Sequence, residues 1–212
     1  MEYLAHIAED GRVQTVSEHL SGTGALAAEF GAAFGASDEA RYAGILHDIG
    51  KYSAAFQHRL RGGAPVDHST AGAKEAFARG DLPAALAIAG HHSGIPDCGH
   101  PDDQPDATTL RGRIKRTLPP YGDWTREITP PSAKPHAWAM SDCITGAFYT
   151  RMLYSCLVDA DFQDTQNFMD GEPSPRGSGE PIPVLLEKAR AQAANYLSSL
   201  STEVVISQRN TA

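Results

Sequence analysis

A histidine and an aspartate stand side by side within the apolar stretch Gly44-Ile45-Leu46-His47-Asp48-Ile49-Gly50-Lys51. Ser37 is placed to cap a helix here, with Asp38 and Glu39 in its first turn and Gly50 as its stop. His47 and Asp48 then fall in the last turn of a helix whose Ala40, Ala43, Ile45, Leu46 and Ile49 read as buried. A carboxylate in such a place must be paired or hold a metal, because burying it alone is too costly. The plain alternative is a histidine hydrogen-bonded to a carboxylate. A phosphate-binding P-loop is excluded: five residues separate Gly44 from Gly50 where four are needed, and Tyr52 stands where a Ser or Thr belongs.

The other histidines fall at similar places. His19 lies near the start of a helix expected over 17–34, and Asp67-His68-Ser69 opens another. His91-His92 follow a small-residue helix over 84–90, capped by Asp81 with Pro83 in its first turn. The longest periodic segment, 136–165, ends in Asp159-Ala160-Asp161. Five helices thus offer His19, His47, Asp48, His68, His91, His92 and one late aspartate to a common centre. The set is rich in imidazole and carboxylate and free of thiolate. It suits manganese, ferrous iron, nickel or cobalt better than zinc, with magnesium also admissible. Two such ions can activate water and neutralise a phosphodiester in one site. Asp159 and Asp161 point about 200° apart on a helix, so one of them reaches the centre. Periodicity leans to Asp159, which shares a face with Phe148, Met152 and Cys156, whereas Asp161 shares one with Thr150, Tyr154 and Leu157.

These residues need a helical scaffold, and the chain predicts an all-α one. Residues 1–16 read as an extended lead-in, and no convincing strand pair is found. A further helical spacing runs over 52–60, and 95–135 is a long excursion with one or two short helices. Within it, Arg111, Arg113, Lys115 and Arg116 form a basic strip, either a solvated charge run or a path for a nucleic-acid backbone. A loop over 171–183 leads to an amphipathic helix over 184–200. The expectation is one domain over 1–212, with its core at about 17–165.

Bulk composition agrees with a globular protein: 212 residues, 41% apolar and 21% charged. A net charge of −8 argues against indiscriminate coating of nucleic acid. Cys98, Cys143 and Cys156 are scattered, which suggests a reducing compartment. No secretory signal or membrane span is read, so a cytoplasmic location is expected.

The order His, His-Asp, His, His-His, Asp resembles the HD superfamily of metal-dependent phosphohydrolases. The wording is similar to the CRISPR-associated HD nucleases, the partner or N-terminal part of the type I CRISPR helicase-nuclease. The matching pieces are Ser17-Glu18-His19-Leu20, Leu46-His47-Asp48-Ile49-Gly50-Lys51, Phe56-Gln57, His68-Ser69-Thr70-Ala71-Gly72-Ala73, Ala89-Gly90-His91-His92-Ser93-Gly94 and Ser155-Cys156-Leu157-Val158-Asp159-Ala160-Asp161. The resemblance implies a first metal on His19, His47, Asp48 and the late aspartate. It implies a second on His68, His91 and His92, with Asp48 bridging. Ala160-Asp161 matches the family's late position, so Asp161 is preferred over Asp159. Lys51 would hold the phosphate or stabilise developing charge. His6, His58, His100 and His136 match no ligand position.

The expected activity is hydrolysis of single-stranded DNA, endo- or exonucleolytic, in antiviral CRISPR interference. A helicase and the RNA-guided surveillance complex are the implied partners. One alternative is an HD phosphohydrolase acting on nucleotides or cyclic dinucleotides. Another is a metal-stabilised scaffold without turnover.

Overall fold

The computed structural model describes residues 2–171 and 180–199. The chain divides into two compact units, Met1–Ser174 and Pro175–Ala212. In the second unit the expected C-terminal helix is Ile182–Ser199. Leu200 and most of the loop expected over 171–183 lie outside the described residues.

The first unit opens on an element that the sequence reading did not find. Strands β1 (Leu4–Ile7) and β2 (Val13–Thr15) form an antiparallel pair with Leu4 opposite Thr15 and His6 opposite Gln14. Three- and four-residue strands carry too little alternation to stand out from a mixed segment. Thr15 then caps α1 (Val16–Gly31): its side chain accepts from the Glu18 amide while Glu18 reaches back to the Thr15 amide.

Helix α2 spans Ser37–Leu46 and is shorter than expected. Ala36, not Ser37, holds the cap position, and no side chain caps it. The helix ends before His47, and Asp48 (φ −120°, ψ 21°) leads into a 3-10 turn over Ile49–Tyr52. Gly50 therefore does not stop α2. Then come α3 (Ala54–Arg59), capped by Ser53, α4 (Ser69–Ala78), and α5 (Leu82–Gly90), whose Asp81 cap accepts from the Ala84 amide at 2.9 Å. The excursion holds α6 (Leu110–Arg113) and a 3-10 turn over Gly122–Arg126. The long α7 (Cys143–Asp170) begins at Asp142, which accepts from the Ile144 and Thr145 amides at 2.9 Å.

Helix α1 packs on α2 and α7, and α5 packs on α4 and α7. Leu20, Leu46, Ile49, Ile88, Leu153 and Leu157 are fully buried between them. Each contributes about 1.5–3 kcal/mol by leaving water. Small residues set the spacing: a Cβ on Gly44 would lie 2.8 Å from Gly24 Cα, so α1 and α2 cross nearly backbone to backbone. That crossing brings His19 beside the end of α2. Among the described residues no helix is long and apolar enough to cross a membrane.

The cations of the basic strip are engaged by the chain itself, Lys115 from an exposed position. Arg113 is nearly buried; its guanidinium donates to Thr70 Oγ1, Ser69 Oγ and the Ala89 carbonyl, tying α6 to α4 and α5. Lys115 donates to the Pro101 and Asp103 carbonyls, and Arg116 to the Pro105 and Ala107 carbonyls and to Asp67. Arg111 lies over the Phe77 ring. Three of the four cations bond main-chain oxygens, the usual use of a cation where a long loop leaves its carbonyls without a ladder.

Candidate metal centre

Helix ends supply most of the centre. The last carbonyls of an α-helix have no partner within the helix, and two histidines use them. His47 Nδ1 donates to Gly44 O at 2.6 Å at the end of α2, and His91 Nδ1 to Ile88 O at 2.7 Å at the end of α5. His68, at the start of α4, donates through Nδ1 to Val66 O at 3.1 Å. A carbonyl only accepts, so each of these rings carries a proton on Nδ1 and turns its Nε2 to the centre. His19, inside α1, does the same through Asp164 Oδ2 at 2.8 Å.

These Nε2 atoms converge on Asp48, which is 1% exposed. Its Oδ2 lies 3.5 Å from His47 Nε2 and 3.6 Å from His19 Nε2. Its Oδ1 lies 3.3 Å from His91 Nε2 and 3.4 Å from His68 Nε2. Asp161 Oδ1 closes the first group, 3.3 Å from His19 Nε2 and 3.4 Å from His47 Nε2. His92 Nε2, 2.7 Å from His68 Nε2, closes the second. The residues thus form two sets that could hold a metal, His19-His47-Asp48-Asp161 and Asp48-His68-His91-His92.

The fit to cations rests on buried polar atoms left without a partner. His19 Nε2, His47 Nε2, His91 Nε2 and Asp48 Oδ1 are buried with no hydrogen-bond partner among the described residues. Such atoms are costly unless something positive sits between them. Their spacing agrees: donors about 2.1 Å from one ion stand about 3.0–3.4 Å apart in octahedral or tetrahedral shells. The first set is buried except at Asp161, and the second opens to solvent at His92.

Charge is concentrated here. Burial alone pushes Asp48 up, but Lys51 and the surrounding histidines hold its carboxyl well below the usual range. Lys51 Nζ lies 2.8 Å from Asp48 Oδ2. Burial and Lys51 press His19 down, yet Asp161, Asp164 and Asp48 together lift it to about 9. Asp161 likewise resists burial and is held low by His47 and His19.

Asp161, not Asp159, is the late aspartate brought to the histidines. The buried stripe of α7 runs Thr150, Leu153, Leu157, Ala160 and leads onto Asp161 and Asp164. Phe148, counted toward the Asp159 face, is 62% exposed, so the more apolar face looks outward there. His58 and His100 are exposed, and His136 bonds the Gly35 carbonyl; none joins either set. His6 joins neither set but lines the centre. Its ring lies edge-on to His19 at 4.8 Å, and its Nε2 is 3.4 Å from Lys51 Nζ. Burial and Lys51 push it down to about 3. Nothing in the lead-in marked it, because its placement depends on the hairpin. Asp164 was legible in principle, three residues beyond Asp161 and so on the same helix face.

The family model of the HD domain matches residues 16–117, the stretch that contributes every histidine of both sets. This match supports membership of the HD superfamily and, with the helical fold, implies a metal-dependent phosphohydrolase. No curated protein matches the chain.

Proposed function

We propose that the protein is a two-metal HD nuclease that cuts single-stranded DNA in CRISPR interference, with a helicase and the RNA-guided surveillance complex as partners. The observation that carries the two-metal reading is Asp48, whose oxygens each face a different pair of histidines. In this reading His19, His47, Asp48 and Asp161 hold the first ion, and Asp48, His68, His91 and His92 the second. Manganese, ferrous iron, nickel or cobalt suits this donor set. Bound there, the ions supply an activated water and neutralise the phosphodiester.

The chain's own residues do the rest. The backbone carbonyls and Asp164 fix the rings of His19, His47, His68 and His91 so that Nε2 faces inward and no rotamer has to be found for them during reaction. Lys51, beside Asp48, offers an ammonium to a non-bridging phosphate oxygen and to the charge that develops on it. His6, kept neutral by burial and Lys51, packs against Lys51 without adding a competing charge. The exposed edge at His92 leaves an entry for a strand. The motifs shared with CRISPR-associated HD nucleases, not the geometry, support DNA over a small phosphodiester.

The test is degradation of an end-labelled single strand with manganese, nickel or ferrous iron and with a chelator as control, beside nucleotides and cyclic dinucleotides. Metal-dependent cutting of the strand is expected. Turnover of the small compounds with the strand left intact would contradict it.

A further inference from the structure

His19 differs from the other buried histidines of the centre in where it finds its Nδ1 partner. His47 and His91 sit at helix C-termini and use carbonyls three residues back, and His68 uses one two residues back. His19 lies within α1, where the neighbouring carbonyls are engaged by the helix itself. Its partner must come from another element, and it is the carboxylate of Asp164 on α7, at 2.8 Å. Gln14 Nε2, from β2, donates to the same oxygen at 2.9 Å. The opposite carboxylate oxygen rests against Gly22, one turn along α1 from His19. A Cβ there would lie 2.0 Å from Asp164 Oδ1 and 2.9 Å from its Cγ.

We propose that Asp164, seated by Gln14 and given room by Gly22, is the positioning residue that fixes the tautomer and orientation of His19 for metal binding. The inference rests on the two-metal reading above. Asp164 belongs to neither ligand set; it acts through His19. A carboxylate that accepts the Nδ1 proton leaves Nε2 as the nitrogen offered to a metal and makes it the stronger ligand, and losing such a partner typically weakens a metal about 10–100-fold. The effect is confined to the first set, because His68, His91 and His92 do not contact Asp164 among the described residues.

The experiment is manganese titration of the full chain, following free ion by paramagnetic resonance, for wild type, Asp164→Ala, Asp164→Asn and Gly22→Ala. Melting of each metal-free protein is measured alongside. Gly22→Ala is the discriminating variant: alanine is the better helix former, and the added methyl meets only the movable end of a side chain. Wild type is expected to take two ions. Asp164→Ala and Gly22→Ala should weaken one of them about 10–100-fold and leave the other unchanged. Asp164→Asn, which keeps an acceptor, should lose less. In the zinc-loaded protein the His19 Nδ1 proton should give a downfield resonance that disappears in Asp164→Ala. Two ions bound with wild-type affinity by both Asp164→Ala and Gly22→Ala would overturn the assignment while leaving the two-metal reading standing. Equal weakening of both ions in step with melting would also overturn it, as a general structural effect. A wild type that takes up no ion would overturn both.

Discussion

Gly50 and His68 meet backbone to backbone. A Cβ on Gly50 would lie 2.2 Å from the His68 carbonyl oxygen and 2.7 Å from its Cα. The 3-10 turn after Asp48 and the residue that leads into α4 are thereby locked together, which is how Asp48 Oδ1 comes within 3.4 Å of His68 Nε2. Gly50→Ala must push the two segments apart, because both atoms struck belong to the backbone. The expected result is a loss of roughly 1–3 kcal/mol in stability, together with weaker binding of the second ion than of the first. Urea unfolding and manganese titration check both; an unchanged variant would mean that the contact does not set the geometry.

Metal uptake should release protons. Against burial and Lys51, the carboxylates around His19 raise it to about 9, so in the metal-free protein it is an imidazolium at neutral pH. An ion needs the Nε2 lone pair. Affinity for the first ion should therefore climb as pH rises toward 9, with at least one proton released near pH 7.5. Calorimetry in two buffers of different ionisation enthalpy counts that proton. The metal-free fold should show the opposite trend. A raised histidine contributes stability that is complete below its unfolded value near 6.5 and is lost as pH rises through about 9. Pure metal binding without proton exchange would mean that His19 is already neutral or not a ligand.

Lys51→Met separates charge from metal holding. Its Nζ lies 2.8 Å from Asp48 Oδ2 and competes electrostatically with any cation there. Removing the ammonium should leave metal affinity equal or higher, while kcat on a single strand falls roughly 10–1,000-fold. If ions are lost in step with activity, Lys51 supports the fold of the site and does not assist the phosphate.

Arg113→Ala should act on folding. Its guanidinium bridges Ser69, Thr70 and the Ala89 carbonyl, and truncation strands these buried partners, at about 2–4 kcal/mol. Thermal unfolding should fall, and activity on a strand and on a small phosphodiester should decline together. A variant that melts like wild type yet loses only strand binding would restore Arg113 to a path for the backbone.

Much of this centre was legible because helix ends leave marks. Asp81 with Pro83, His68 after Asp67, and His91-His92 before Ser93-Gly94 announce termini, and termini are where the histidines sit. The His-Asp pair itself was found, but its backbone was misread: Gly50 is small for the sake of His68, a contact between segments that no local pattern records. Asp161 and Asp159 illustrate the same limit. The 3.6-residue period names two faces of α7 but not which of them meets α1, and Phe148 shows how an apolar residue can point to solvent. His6 and Gln14 reach the centre only through a hairpin too short to show alternation. The partners of the basic strip were not legible, because sequence shows charge and not the carbonyls that the charge binds.

The most direct measurement is anomalous scattering from crystals grown with manganese, for wild type and for Asp48→Ala. Two peaks are predicted in wild type, one among His19, His47, Asp48 and Asp161 and one among Asp48, His68, His91 and His92. Asp48→Ala should lose both and remain helical, because one carboxylate serves both sets. A single peak in wild type, or both peaks surviving in Asp48→Ala, would contradict the bridged two-metal centre.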